Sequence, residues 1–282
     1  MSAGAPGVSA ARSTTVAARA TTVAARATTA RALQRPTLRE ERRLWRAGHR
    51  WVAGMDEVGR GAWAGPVSVG IAVVVPSVRG ATMPEWLRDS KLLVERRREE
   101  VFDEVAAWCA DGAVGHASAA ECDRWGMTAA LRLAAYRALD SLELLPEALV
   151  VDGPLDLLAE RTPRAGPGSG TAGARSRPDP AAGAPTGPPR GPDRLPLPDV
   201  AVPATVVPRI GADASCAAVA AASVLAKVVR DRIMRGEAEH FPAYGFERNK
   251  GYPSPAHQTA LRGYGLSAIH RRTWSFVEAL PR

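Results

Sequence analysis

The chain has 282 residues, 46% hydrophobic and 23% charged, so a single domain of about 200 residues could bury roughly 70% of its unfolded surface. Its longest apolar stretch, residues 69–75, stops at Pro76, far short of the ~20 residues a membrane-spanning helix needs, and its three cysteines form no CxxC pair, which argues against a zinc site or disulfide framework and for a reducing, cytoplasmic setting. The net charge of +8 is unevenly spread: residues 1–35 carry five Arg and no acid, residues 36–160 net −5, and residues 195–282 net +4. An acidic portion facing a basic one suits a metal-dependent enzyme acting on a phosphate polymer, although ordinary surface charge gives the same numbers.

Residues 1–35 contain the tandem repeat TTVAARA–TTVAARA. They are read as a disordered low-complexity tail or a misplaced start, over the transit peptide their composition also suggests. Residues 51–57 and 66–75 are β-type runs around the glycine-dense VGRGAWAG and predict an antiparallel pair. Residues 95–109 read as a helix, 113–117 as a strand, 128–145 as helix and 148–151 as a strand ending at Asp152. Residues 161–194 hold seven Gly and eight Pro, cannot build a core, and are expected to be a disordered insertion within one domain spanning 36–282. A strand over 200–207 with Val202, Val206 and Val207 in the core, an Ala-rich helix over 217–235 and a helix over 255–262 complete the pattern. The order predicts an α/β sheet with helices packed on it.

Asp56 and Glu57 end the first strand, Asp152 ends a later one, and Asp213 precedes the long helix. Open α/β sheets place chemistry at such positions. Clustered carboxylates repel unless hard cations neutralise them, which points to Mg²⁺ or Mn²⁺, two ions during catalysis. Each acid also has a plainer use: Asp213 with Ser215 fits a helix cap, and Asp152-Gly153 fits a turn. Gly59, Arg60 and Gly61 add amides and a guanidinium suited to a sugar-phosphate backbone.

From about Glu40 to Phe276 the chain resembles bacterial ribonuclease HII, the type 2 ribonuclease H, through GMDEVGRGAWAGPV, DSK, VVDG, GAD, AAASVLAKVVRDR, YGFERNKGYPSPAH and HRRTWSF in that order. The resemblance implies a ribonuclease H-like mixed sheet flanked by helices, with a C-terminal helical region over 244–282 walling a nucleic-acid groove. It implies that Asp56, Glu57, Asp152 and Asp213 hold the catalytic metal. Asp213 is assigned by lying ten residues before Ser223 and 39 before Tyr252. It further implies that Gly59, Arg60 and Gly61 read the ribose 2′-hydroxyl and that Tyr252 packs on the next sugar. Lys91, Lys227, Arg230 and Lys250 are the expected phosphate contacts; Asp231 is expected to be structural, and His257 and His270 are not assigned as ligands.

The implied activity is hydrolysis of RNA in RNA/DNA hybrids and at single ribonucleotides in duplex DNA, leaving a 5′-phosphate and a 3′-hydroxyl, by a monomer. Two alternatives stay open: a nuclease of the same fold acting on branched DNA, and a non-catalytic hybrid-binding protein. The insertion between two catalytic acids and the 1–35 extension depart from the family pattern; the extension is too short and repetitive for the N-terminal domain of type 3 enzymes.

Overall fold

A computed structural model of the chain describes residues 35–76, 84, 87, 93–153, 158 and 195–280. The expectations for the 1–35 tail, the 161–194 insertion and Lys91 therefore lie outside the described residues, apart from Arg35. Five strands make one sheet: β1 (Val52–Val58), β2 (Val67–Val74), β3 (Asp111–Ala117), β4 (Ala148–Asp152) and β5 (Thr205–Arg209) in the order β3-β2-β1-β4-β5. β1 pairs antiparallel with β2 and parallel with β4, and β4 pairs parallel with β5, so the sheet is mixed.

Alternation along the strands sorts the core onto two faces. Ala53, Met55, Leu149 and Val151 join Val69 and Ile71 in one cluster with Leu131, Leu133 and Leu139 of α4 (Met127–Asp140). Val52, Ala148 and Val150 point the other way, to Val219 of α6 (Ala217–His240). Each fully buried branched aliphatic contributes about 1.5–3 kcal/mol. All eight residues of β2 are buried, because helices cover both faces there.

α6 is apolar nearly all round its first three turns, with residues 217–226 all buried. Its alanines let the backbone settle directly on the sheet. At Gly54 a Cβ would stand 2.1 Å from the Val219 nitrogen and 2.2 Å from the Ala218 carbonyl carbon, so only glycine fits. The start of α6 is capped from afar: Glu41, on α1 (Arg39–Arg46), accepts from the Ala218 N–H at 2.8 Å.

Several expected elements shift. The strand expected over 200–207 is Thr205–Arg209, an edge strand. Pro196, Pro198 and Pro203 keep the preceding residues irregular. Val202 is exposed, at 36%, and precedes the strand, which corrects its placement in the core, whereas Val206 and Val207 lie in β5, half-buried and packed against the core clusters of the two sheet faces. The helix expected to reach residue 145 ends at Asp140, and α6 runs on past residue 235 to His240. Three helices were not anticipated: α1, the short turn at Ala212–Ser215 that carries Asp213 within it, and α3 (Ala119–Trp125), the last opened by a reciprocal capping box between Ser118 and Glu121. The remaining helices are α2 (Glu95–Trp108), α5 (Ala212–Ser215), α7 (Phe246–Asn249) and α8 (Pro255–Tyr264). The C-terminal segment packs Tyr244, Phe246, Ala260 and Leu261 against Ala64 and Met234. The described residues from Pro36 onward form one compact unit. Among the described residues no helix is long and apolar enough to cross a membrane.

Candidate active site

The parallel pairing of β1 with β4 reaches Met55 opposite Val151. The next pair in that register is Asp56 beside Asp152, on strands about 4.8 Å apart. Both follow the alternation of Val52 and Val150, which puts them on the α6 side of the sheet. The third acid arrives from α5: the Ala212 N–H, one residue before Asp213, donates to Asp152 Oδ1 at 2.8 Å. Asp56 is 3% exposed and Asp213 fully buried. Burying carboxylates at one strand end is costly, and three elements cooperate to do it here.

Glu57 differs from its neighbour. Its N–H donates to Asp56 Oδ1 at 2.8 Å, while its side chain lines a cleft of about 220 Å³. Residues 57 to 61 form one wall, Ser223 and Lys227 of α6 another, and Tyr252 the third. Gly59, Arg60, Gly61, Lys227 and Tyr252, expected from sequence as substrate contacts, therefore come together from three remote segments. Arg60 is exposed, with Nη1 4.0 Å from Glu57 Oε1. Gly59 has φ +85°, and a Cβ there would meet Arg230 Nε at 2.3 Å and the Pro66 carbonyl oxygen at 2.8 Å, so this turn requires glycine. Its N–H donates to Tyr252 Oη at 3.1 Å.

Two expected phosphate contacts are corrected. Arg230 is fully buried, and its guanidinium donates to the carbonyls of Pro66, Lys250 and Ala64. The Lys250 side chain is 5% exposed, its Nζ 2.9 Å from Glu95 Oε1 and bonded to the Glu247 carbonyl. Burial alone would push the Glu95 carboxyl up, but Lys250 and Arg235 outweigh it and hold the group below its ordinary range. Both cations face inward because neighbouring backbone and carboxylate oxygens claim them. Asp231 is structural as expected: 2% exposed, it pairs with Lys227 Nζ and lies 3.6 Å from Arg98. Burial lowers the Lys227 pKa while Asp231 opposes the shift.

Sequence reasoning had not placed Ser223 in the cleft, although its position one turn before Lys227 was the available signal. Nor had it assigned His257 and His270 a task. Ser267 N–H donates to His270 Nδ1 at 2.9 Å, which leaves that ring's proton on Nε2 to donate to His257 Nε2 at 2.9 Å. His257 then donates from Nδ1 to the Tyr252 carbonyl at 2.9 Å. This assignment satisfies every ring nitrogen with both histidines neutral. Burial lowers the His257 pKa and, with the neighbouring His257, takes that of His270 to about 3.

Asp56, Glu57, Asp152 and Asp213 offer only carboxylate oxygens, a donor set suited to hard divalent cations rather than to zinc or copper. Among the described residues no group of three or more His, Cys, Asp or Glu is gathered closely enough to hold an ion as it stands. The three thiols are not rivals for a metal: burial pushes Cys109 up to about 12 and Cys216 to about 11.

A family model described as Ribonuclease HII matches residues 53–164 and 197–277. A ribonuclease HII of Streptomyces griseus is 42% identical over 238 residues, 83% of this chain and 81% of that protein. One of Thermus thermophilus is 41% identical over 239 residues, 84% of this chain and 92% of that protein. Among solved structures, the ribonuclease H2 of Pyrococcus horikoshii superposes with a TM-score of 0.55 at 26% identity, over 81% of this chain and 96% of that one.

Proposed function

The chain belongs to the ribonuclease HII family, and from that premise, as a ribonuclease H endonuclease, we propose that it cuts the RNA strand of RNA/DNA hybrids and cuts at single ribonucleotides in duplex DNA, leaving a 5′-phosphate and a 3′-hydroxyl. Asp56, Glu57, Asp152 and Asp213 would hold divalent ions, Mn²⁺ or Mg²⁺. Bound there, such ions supply an activated water and charge stabilisation for the departing oxygen.

The protein's own residues do the recognition. Arg60 is an exposed guanidinium lining the cleft, placed for a phosphate of the scissile strand. The Arg60 and Gly61 amides of the Gly59–Gly61 turn face the ribose, where a 2′-hydroxyl is the one group that separates RNA from DNA. Tyr252 closes the opposite wall, and its ring packs on the following sugar. Lys227, held by Asp231, contributes a fixed positive charge for the backbone. We place the enzyme as a monomer in the cytoplasm, where its buried thiols stay reduced.

The observation that carries this reading is the convergence of Glu57, the Gly59–Gly61 turn, Lys227 and Tyr252 on one cleft next to the carboxylate-bearing strand ends. The test incubates the protein with Mn²⁺ or Mg²⁺ and a DNA duplex carrying one ribonucleotide, beside an all-DNA duplex. Cleavage of the first alone, with 5′-phosphate product, is expected. Cleavage of both, or of neither at any metal concentration, refutes it.

A further inference from the structure

Two arginines lie beneath the cleft wall with their guanidinium groups turned inward, away from solvent. Arg271, in the C-terminal segment, donates from Nη2 to the Gly59 carbonyl at 2.7 Å and from Nη1 to the Arg60 carbonyl at 2.9 Å. Its Nη2 also reaches the Gly65 carbonyl at 3.2 Å. Arg230, on α6, takes the carbonyls of Pro66 at 2.8 Å and Ala64 at 3.2 Å. Both side chains are fully buried, and among the described residues neither makes a salt bridge. A buried cation without a counter-charge is expensive unless hydrogen bonds replace its lost water. A fold that needed only volume there could use methionine or leucine.

The carbonyls explain the choice. Most N–H groups of this strip are already matched: Ala62 donates to the Gly59 carbonyl at 3.2 Å, closing the turn that Arg271 grips from below, Trp63 and Ala64 donate to Gly251, and Gly65 donates to Ile269. Gly59 donates to Tyr252 Oη. The two amides not matched within the described residues are those of Arg60 and Gly61. In a trans peptide the carbonyl of one residue and the N–H of the next point in opposite directions within one plane. Pulling the carbonyls of Gly59 and Arg60 down onto a buried guanidinium therefore turns the N–H groups of Arg60 and Gly61 away from the interior, toward the cleft those residues line. Arginine suits this role because its planar fork grips several acceptors at fixed angles, which a lysine ammonium does not do.

We propose that Arg271, with Arg230 bracing the far end of the strip, is a positioning residue for sugar recognition: it presets the Arg60 and Gly61 amides as a donor pair for an oxygen of the bound ribonucleotide. The proposal rests on the reading of the cleft as a ribonucleotide site. It adds how the donors are aimed, and by a residue that never meets the substrate.

The test compares wild type with Arg271→Lys, Arg271→Gln and Arg230→Lys on two substrates, a DNA duplex with one ribonucleotide and a continuous RNA/DNA hybrid, with melting curves for each protein. A continuous hybrid offers a 2′-hydroxyl at every register, whereas the single ribonucleotide offers one. In the Arg271 variants kcat on the single ribonucleotide should fall on the order of 10- to 100-fold, the cost of a small misplacement, with KM little changed and a markedly smaller loss on the hybrid. Arg271→Lys keeps the charge and loses the fork, so it should behave like Arg271→Gln. Wild-type kinetics in Arg271→Lys, equal losses on both substrates in a variant that melts normally, or failure of all three variants to fold would each overturn the proposal. Wild type inactive on both substrates would instead overturn the functional reading beneath it.

Discussion

The Gly59 amide donates to the phenolic oxygen of Tyr252 across 193 positions of sequence, at 3.1 Å, so the two walls of the cleft are tied to each other before any ligand arrives. Tyr252→Phe keeps the ring and removes the acceptor. It should cost about 1 kcal/mol in urea unfolding, the value of one such bond, and lower cleavage at a single ribonucleotide more than cleavage of a continuous hybrid. An unchanged ratio between the substrates would separate the tyrosine from sugar sensing.

Asp56 sits 3% exposed at the end of β1. Asp56→Asn preserves its shape while removing a charged ligand, so cleavage should fall about 100-fold or more with the fold intact by circular dichroism. Mn²⁺ at about 100 times its dissociation constant should stabilise the wild type by about 2.7 kcal/mol, and that gain should shrink in the variant. Chelation should abolish both the gain and the activity. An Asp56→Asn protein that cuts normally would place the catalytic centre on other residues.

His270 carries a pKa lowered to about 3, below the 6.5 or so expected unfolded. The unfolded chain therefore binds the extra proton first. Stability from this pair is fully present above about pH 6.5 and is lost as pH falls toward 3, by about 1.4 kcal/mol per pH unit for one histidine. Carboxylates add their own acid sensitivity, so the informative quantity is the difference between wild type and His270→Asn in denaturant melts at several pH values. That difference should narrow as pH drops; a constant difference would mean the imidazole is protonated in the fold already.

Asp123, on α3, receives three hydrogen bonds from the C-terminal segment: Arg272 N–H at 2.8 Å, Thr273 N–H at 3.0 Å and Thr273 Oγ1 at 2.8 Å. Asp123→Ala should cost about 1–2 kcal/mol and raise amide exchange in residues 267–280 more than in the sheet. Uniform exchange across the chain would show that the segment is not docked through this side chain.

Much of the fold was readable because its strands announce themselves. The run ending at Asp152 is valine-rich and the run ending at Asp56 is apolar around Gly54, and each is closed by an acid, whereas their parallel pairing as buried neighbours is visible only in the sheet. The helix at Ala119–Trp125 was missed although its Ser118–Glu121 box was a signal for it, because its apolar stripe is too thin to stand out. α1 was not readable: its buried residues are Glu41 and Leu44, and Glu41 belongs inside only because α6 presents an unmet amide 177 residues away. The same limit explains Arg230 and Lys250. A basic residue in a basic segment looks like a phosphate contact until the carbonyls around it are known. The carboxylates could be listed from strand ends, whereas the cleft, which depends on Tyr252 meeting Gly59, exists only in three dimensions.

The absence of a side chain at Gly54 has a reach beyond local fit. With backbone laid on backbone, the strand that delivers the acids and the helix that delivers Ser223 and Lys227 share one rigid joint, and no rotamer change can absorb an error between them. A single methyl group inserted there would act as a wedge, prising two halves of the catalytic apparatus apart from a point that no nucleic acid ever reaches.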